Sequence, residues 1–201
     1  MLKVLDTRND VKFFMAAGEQ TVVGYSEQSD LYMKLITEEL IHEFLKEYDN
    51  KNLVGIADGI VDSIVVLEGF CHSLGLDLEK IWKFVNDVEL LDCGNNVDSV
   101  VCDIIDDYTQ LRYNYIVFRK GYDNRPIGLD KFVSNIIRQI LTVSKYFNLP
   151  IQEIWDEVAR SNNSKISESG KVIKNEYGKI QKPPTYSPPD IESILKKHGV
   201  I

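Results

Sequence analysis

Cysteine is scarce in this 201-residue chain: Cys71, Cys93 and Cys102 are an odd number with no C-x-x-C spacing. That pattern suggests neither a disulfide framework nor a zinc knuckle, and the three read as reduced bystanders. Long apolar runs are missing too. Nothing approaches the roughly eighteen consecutive apolar residues that a membrane span needs, so no membrane partner is expected. The N-terminus, MLKVLDTRND, has no apolar core of the kind a signal peptide carries, which makes the cytoplasm the expected compartment. Positive charge is in deficit, with 23 Lys and Arg against 31 Asp and Glu and a net charge of −8. Such a balance works against a broad phosphate-tracking surface, so no nucleic-acid partner is expected. There is no Gly-rich loop of the P-loop or dinucleotide-binding type and no G-x-S-x-G elbow. His72 and His198 have no partner at ligand spacing and read as surface or boundary residues.

What is present describes a globular protein: 44% hydrophobic residues, two Trp and ten Tyr. The length allows one large domain or two small ones. Residues 31–48 place Leu31, Leu35, Ile36, Leu40, Ile41, Phe44 and Leu45 on one face of an amphipathic helix that ends at Asp49-Asn50. Residues 53–74 form a second helix, apolar nearly all round and therefore buried, with Asp58 and Asp62 as the exceptions. Gly75 stops it, and Asp77 can cap a short helix ending near Val85. The segment 92–99, DCGNNVDS, is a break rich in turn residues. Residues 100–118 and 129–147 again carry helical periodicity, and no strand-like alternation is long enough for a sheet. From about Asn162 the texture changes to Ser, Asn, Lys, Gly and Pro, and the prolines from Pro183 to Pro189 cannot continue a helix. An irregular tail is expected there, closed by a short helix from Pro189 or Asp190 to about Lys197.

The chain repeats itself. Tyr48-Asp49-Asn50 recurs as Tyr122-Asp123-Asn124, and LGLDLEKIWKFV at 74–85 is echoed by FNLPIQEIWDEV at 147–158. Both halves read as helix, YDN turn, buried helix and short helix, with Trp82 and Trp155 as equivalent core residues. The acids are not repeated. Glu38, Glu39, Glu43, Asp58 and Asp62 fall on Arg112, Tyr113, Val117, Lys131 and Asn135.

Residues four apart share a helix face, so Glu39 and Glu43 form one pair and Asp58 and Asp62 another. Carboxylates inside a buried helix are costly unless paired or bound to metal. Four or five of them with few basic partners repel one another, and hard divalent ions, Mg²⁺ or Mn²⁺, relieve that. Basic residues do gather in the tail: Lys165, Lys171, Lys174, Lys179 and Lys182 lie within 18 positions and suit a small polyanion.

With LITEELIHEF followed by IADGIVDSIVVLEGF, the chain resembles the all-α nucleoside triphosphate pyrophosphohydrolases, the MazG-like superfamily. RSNNSKISESGK, GKIQKPPTYSPPDIESIL and the opening DVKFFMAAGEQ resemble its phosphoribosyl-ATP-pyrophosphohydrolase-like branch of phage and bacterial type. The similarity runs over roughly 10–85 and 150–197. It implies an all-α helical bundle and a Mg²⁺- or Mn²⁺-dependent enzyme that cleaves a (deoxy)nucleoside triphosphate to the monophosphate and pyrophosphate. By position, Glu39, Asp58 and Asp62 are implied metal ligands, with Glu38 beside them as ligand or general base. The chain departs from the motifs at two places. The last glutamate of EExxE falls on His42, with Glu43 one position later, and the glutamate of ExxD falls on Gly55. Either Glu43 and Asp58 substitute, or the site is weakened. Lys165, Lys179 and Lys182 suit the phosphates, Asn162 a phosphate or sugar, and Tyr186 a base.

Members of the family pair as dimers, so the repeat implies that one chain holds both halves as a pseudo-dimer. The expected layout is a first repeat at 1–91, a degenerate second repeat at 92–160 and a basic tail at 161–201, all within one compact domain. One composite site would take acids from the first repeat and the Asn/Lys segment from the second, and a homodimer of pseudo-dimers is the assembly this leaves open. The rival reading is a catalytically inactive nucleotide-binding or sequestering protein of the same fold.

Overall fold

The structure, a computed structural model, describes residues 3–20, 26–90, 94, 96–121 and 128–201, with the Ser26 side chain set aside. Cys93, with residues 92 and 95 of the break at 92–99, and the second YDN copy at 122–124 lie outside them. Among the described residues the chain is all-α, without a β-strand. One isolated antiparallel bridge joins Lys174 to Ile180.

The helices are α1 (Asp10–Ala17), α2 (Ser26–Ile36), a π-helix (Thr37–Phe44), α3 (Leu45–Asp49), α4 (Leu53–Leu74), α5 (Leu78–Asp87), α6 (Val97–Arg119), α7 (Leu129–Tyr146), α8 (Ile151–Asn163) and α9 (Ile191–Lys197). The buried helix expected at 53–74 forms over those residues. It ends because Gly75 adopts the left-handed conformation at φ 66°, where a side chain would be strained. Asp77 caps α5, its side chain accepting the Lys80 N–H at 3.0 Å. Asp190 caps α9 in the same way through Ser193. The amphipathic helix expected at 31–48 is longer, beginning at Ser26, and its middle is a π-helix rather than an α-helix.

Chain contacts define two compact units, one of residues 1–4 and 76–149, the other of residues 5–75 and 150–201. In the first, α7 packs against α6 and α5. In the second, α4 is the central helix and touches α1, α2, the π-helix, α3, α8 and α9. Each short helix therefore packs on the buried helix of the other repeat: α5, from the first, lies on α7, and α8, from the second, lies on α4. The chain passes between units at Gly75-Leu76 and at Leu149-Pro150, and Leu76 and Leu149 are equivalent positions of the repeat.

Three glycines explain how α4 accepts its neighbours so closely. A methyl group on Gly59 would stand 2.9 Å from the Phe44 Cα, one on Gly55 2.6 Å from the Glu47 Cγ, and one on Gly69 only 2.0 Å from the Tyr32 ring. Glycine inside a helix is unfavourable by about 1 kcal/mol relative to alanine. Here it lets the π-helix backbone approach α4 at Phe44 and leaves room for the Glu47 side chain at Gly55 and the Tyr32 ring at Gly69.

Candidate active site

The π-helix solves a register problem. An α-helix has 3.6 residues per turn, whereas a π-helix closes i→i+5 hydrogen bonds and takes more residues per turn. Five positions make about one turn, so Glu43 comes round over Glu38, with Glu39 beside it. Ile36, Leu40 and Phe44 are all fully buried. Their burial fixes the opposite side of the helix, and with it the direction of the glutamates.

Across from them, α4 presents Asp58 and Asp62 one turn apart. Together with Glu38, Glu39, Glu43 and Glu47 they line one cleft of about 770 Å³. Asn162 at the end of α8 and Lys165, Lys179, Lys182 and Tyr186 of the tail line the same cleft. All ten residues singled out in the sequence thus meet in one place, although 100 positions separate Asp62 from Asn162.

The acids at the bottom of the cleft are uncomfortable. Asp62 is half-buried, and burial, then the neighbouring Asp58 and Glu39 carboxylates, push its pKa up to about 8. Burial raises Glu39 as well, aided by Glu38, Glu43 and Asp58, while Lys179 acts the other way. Asp58 is raised by burial and by Glu43, against Lys182 and Lys165. Among the described residues none of these three carboxylates accepts a hydrogen bond or forms an ion pair.

 Half-buried carboxylates left in that condition are what a hard cation with oxygen preferences would satisfy. No three His, Cys, Asp or Glu side chains among the described residues already converge as a finished cage. The fit therefore rests on the donor chemistry and on the unmet charge.

The tail brings the compensating cations. Lys179 Nζ lies 2.6 Å from Glu38 Oε1 and ties the tail to the π-helix. Lys165 Nζ donates to Asn162 Oδ1 at 2.7 Å and lies 5.7 Å from the ring centres of both Phe14 and Tyr186. Lys182 stands over the Tyr186 ring at 4.8 Å. Burial, and after it the nearby Lys182 and Lys179, lower the Lys165 pKa against the pull of Asp62 and Glu39. The irregular tail holds its shape through local bonds: Arg160 donates to Glu157, to Ser187 Oγ and to the Pro188 carbonyl.

No protein-family model, curated protein or solved structure matches this chain.

Sequence reasoning missed two contributors. Glu47 reaches across to Gly55: its Oε2 lies 2.7 Å from where a Gly55 Cβ would stand, and it accepts the Asn52 amide at 2.7 Å. That hydrogen bond, followed by Lys46, holds the Glu47 carboxyl below its ordinary range. A carboxylate thus occupies the space that a side chain at position 55 would fill. The second is α1, which carries Phe14 to Lys165 and, through Asp10, accepts the Trp155 indole N–H at 3.0 Å. Trp155 is fully buried, while its repeat counterpart Trp82 is half-buried. His198 pairs with Glu153 at 2.9 Å, outside the cleft.

The second repeat shows the alternative to an acidic cluster. Asn135, equivalent to Asp62, donates to Asp107 at 3.3 Å, and Gln139 donates to the other oxygen of Asp107 at 2.8 Å. There one carboxylate is met by two neutral amides and calls for no cation.

Proposed function

We propose that this protein is a Mg²⁺- or Mn²⁺-dependent nucleoside triphosphate pyrophosphohydrolase of the MazG-like kind. The observation that carries the reading is the cleft itself, in which carboxylates from two touching helices face lysines from a segment 100 positions further on. Glu39, Glu43, Asp58 and Asp62 would hold the ion, with Glu47 in the space over Gly55. When bound, the ion would neutralise phosphate charge and lower the pKa of water at the site. Lys165 and Lys182 would stabilise the negative charge that builds on the oxygens of the departing pyrophosphate, with Asn162 holding Lys165 in place. Glu38 stands at the rim as ligand or general base, with Lys179 as its partner.

The two motif departures support the reading once the backbone is considered. The π-helix returns Glu43 to the position over Glu38 that the third glutamate of EExxE would take, and Glu47 fills the volume vacated at Gly55. The pseudo-dimer reading draws on the exchange of short helices between repeats at equivalent crossover positions. Two halves of an intertwined dimer, joined end to end, would have that connectivity.

The decisive experiment is pyrophosphate release from a panel of ribo- and deoxynucleoside triphosphates with Mg²⁺ or Mn²⁺, comparing the native chain with Asp62→Asn. Release that needs both the metal and Asp62 supports the enzyme. A second reading, a nucleotide-sequestering protein, is favoured by the Glu38–Lys179 ion pair, which neutralises one acid without a metal. It is adopted if nucleotides bind and none is cleaved.

A further inference from the structure

Beside the acidic cleft lies a second, smaller cavity of about 120 Å³. The two share Glu39, Asp62, Asn162, Lys165, Lys179 and Ile180, so a molecule with its charged end in the cleft can extend into the slot. The slot's own walls differ in kind. Val11 and Phe14 of α1, Leu35 of α2, and Val65 and Val66 of α4 are apolar, and the polar groups beyond the shared rim are Gln20 and Tyr32. Its size is a fraction of the roughly 300–1,000 Å³ of a pocket for a whole small molecule, which suits one flat ring system of a ligand bound mainly elsewhere.

Gln20 and Tyr32 are held in a fixed relation. The Tyr32 ring rests on Gly69, and its O–H donates to Gln20 Oε1 at 2.9 Å. The phenol is buried, which drives its pKa far above the ordinary range and keeps it a donor. With the amide oxygen engaged, the rest of the Gln20 amide is Nε2, a pure donor. No partner for that nitrogen occurs among the described residues.

We propose that this slot takes the base of the nucleotide and that Gln20, oriented by Tyr32, selects bases bearing a carbonyl, rather than an amino group, on the edge remote from the sugar. The inference rests on the nucleotide reading of the cleft and adds the substrate class. A donor aimed at a carbonyl gains a hydrogen bond, whereas an amino group in its place sets donor against donor. Tyr186, with Lys165 and Lys182 over its ring, then belongs to the phosphate end.

The test compares bases of equal size, dUTP against dCTP and dGTP against dATP, on the native full-length chain, Gln20→Glu and Tyr32→Phe. A glutamate at position 20 still accepts from Tyr32 but offers an acceptor to the base. The phenylalanine keeps the ring on Gly69 and frees the amide. We expect the native chain to favour dUTP and dGTP, Gln20→Glu to lower the carbonyl-to-amino ratio of kcat/KM by about tenfold or more, and Tyr32→Phe to lower it by about threefold. Turnover with ratios unchanged within twofold in both variants overturns the slot and leaves the hydrolase standing. If the native chain cleaves nothing, calorimetry of dUMP and dCMP takes over: a preference for dUMP that reverses in Gln20→Glu upholds the slot while the hydrolase reading falls. Absence of any base preference in either assay overturns the proposal.

Discussion

Asp62 concentrates the strain of the site. Its folded pKa, about 8, stands above the ordinary carboxylate value of 3.8, so the folded chain binds more protons than the unfolded chain between those limits. Stability of the metal-free protein is therefore fullest below about pH 4 for this group and falls as pH rises through 8. Thermal melts should show Asp62→Asn melting above the native protein at pH 8.5, by at least about 2 °C, with the difference closing toward pH 5. Adding Mg²⁺ should raise the native midpoint at the higher pH and leave the variant little changed. Gly69 is the second residue to try. An alanine there drives its methyl into the Tyr32 ring, and the expected loss is about 1–3 kcal/mol in chemical denaturation, with the base preference disturbed alongside.

At the scale of elements, much was legible because the physics was local. The span of α4 followed from an apolar run closed by Gly75, and the caps of α5 and α9 from an aspartate three residues ahead of an open backbone N–H. Helix α1 escaped because it is eight residues long, starts from a left-handed Asn9 without a side-chain cap, and buries only Val11 and Met15. The π-helix escaped because the reading assumed 3.6 residues per turn. Ile36, Leu40 and Phe44 stand at intervals of four, which an α-helix allows equally, so their pattern did not separate the two. The ten site residues were found by residue type, whereas Glu47 was not, since its role depends on a glycine eight positions away. If the π-helix is an inserted residue, deleting the exposed His42 should restore α-helical winding and leave Glu43 where it is. Metal-dependent activity within threefold of the native chain and an equal or higher melting temperature are expected; a loss above tenfold would give the π-helix a part beyond register.

On the scale of the whole molecule, the acids and the tail lysines meet within one unit of one chain. Mixing Asp62→Asn chains with Lys165→Ala chains should therefore recover no pyrophosphate release, each cleft keeping its own defect. Recovery would place the tail of one chain in the cleft of another. In a chain of net charge −8, Lys165, Lys179 and Lys182 of the tail line the same cleft as the carboxylates.

The discontinuity of the cleft-bearing unit also sets an order of events during synthesis. Residues 76–149 complete the other unit before Asn162, Lys165 or Lys182 has been made, and until then the carboxylates of the π-helix and α4 have no cleft to line. The ends of α4 and α8 must then be brought together across the intervening residues, a closure whose entropic penalty grows only slowly with length and is smaller still when those residues are already folded. A chain halted at Leu149 would carry the carboxylates of the π-helix and α4 without Asn162, Lys165, Lys179 or Lys182, so the cleft they line together can form only once those residues have been made.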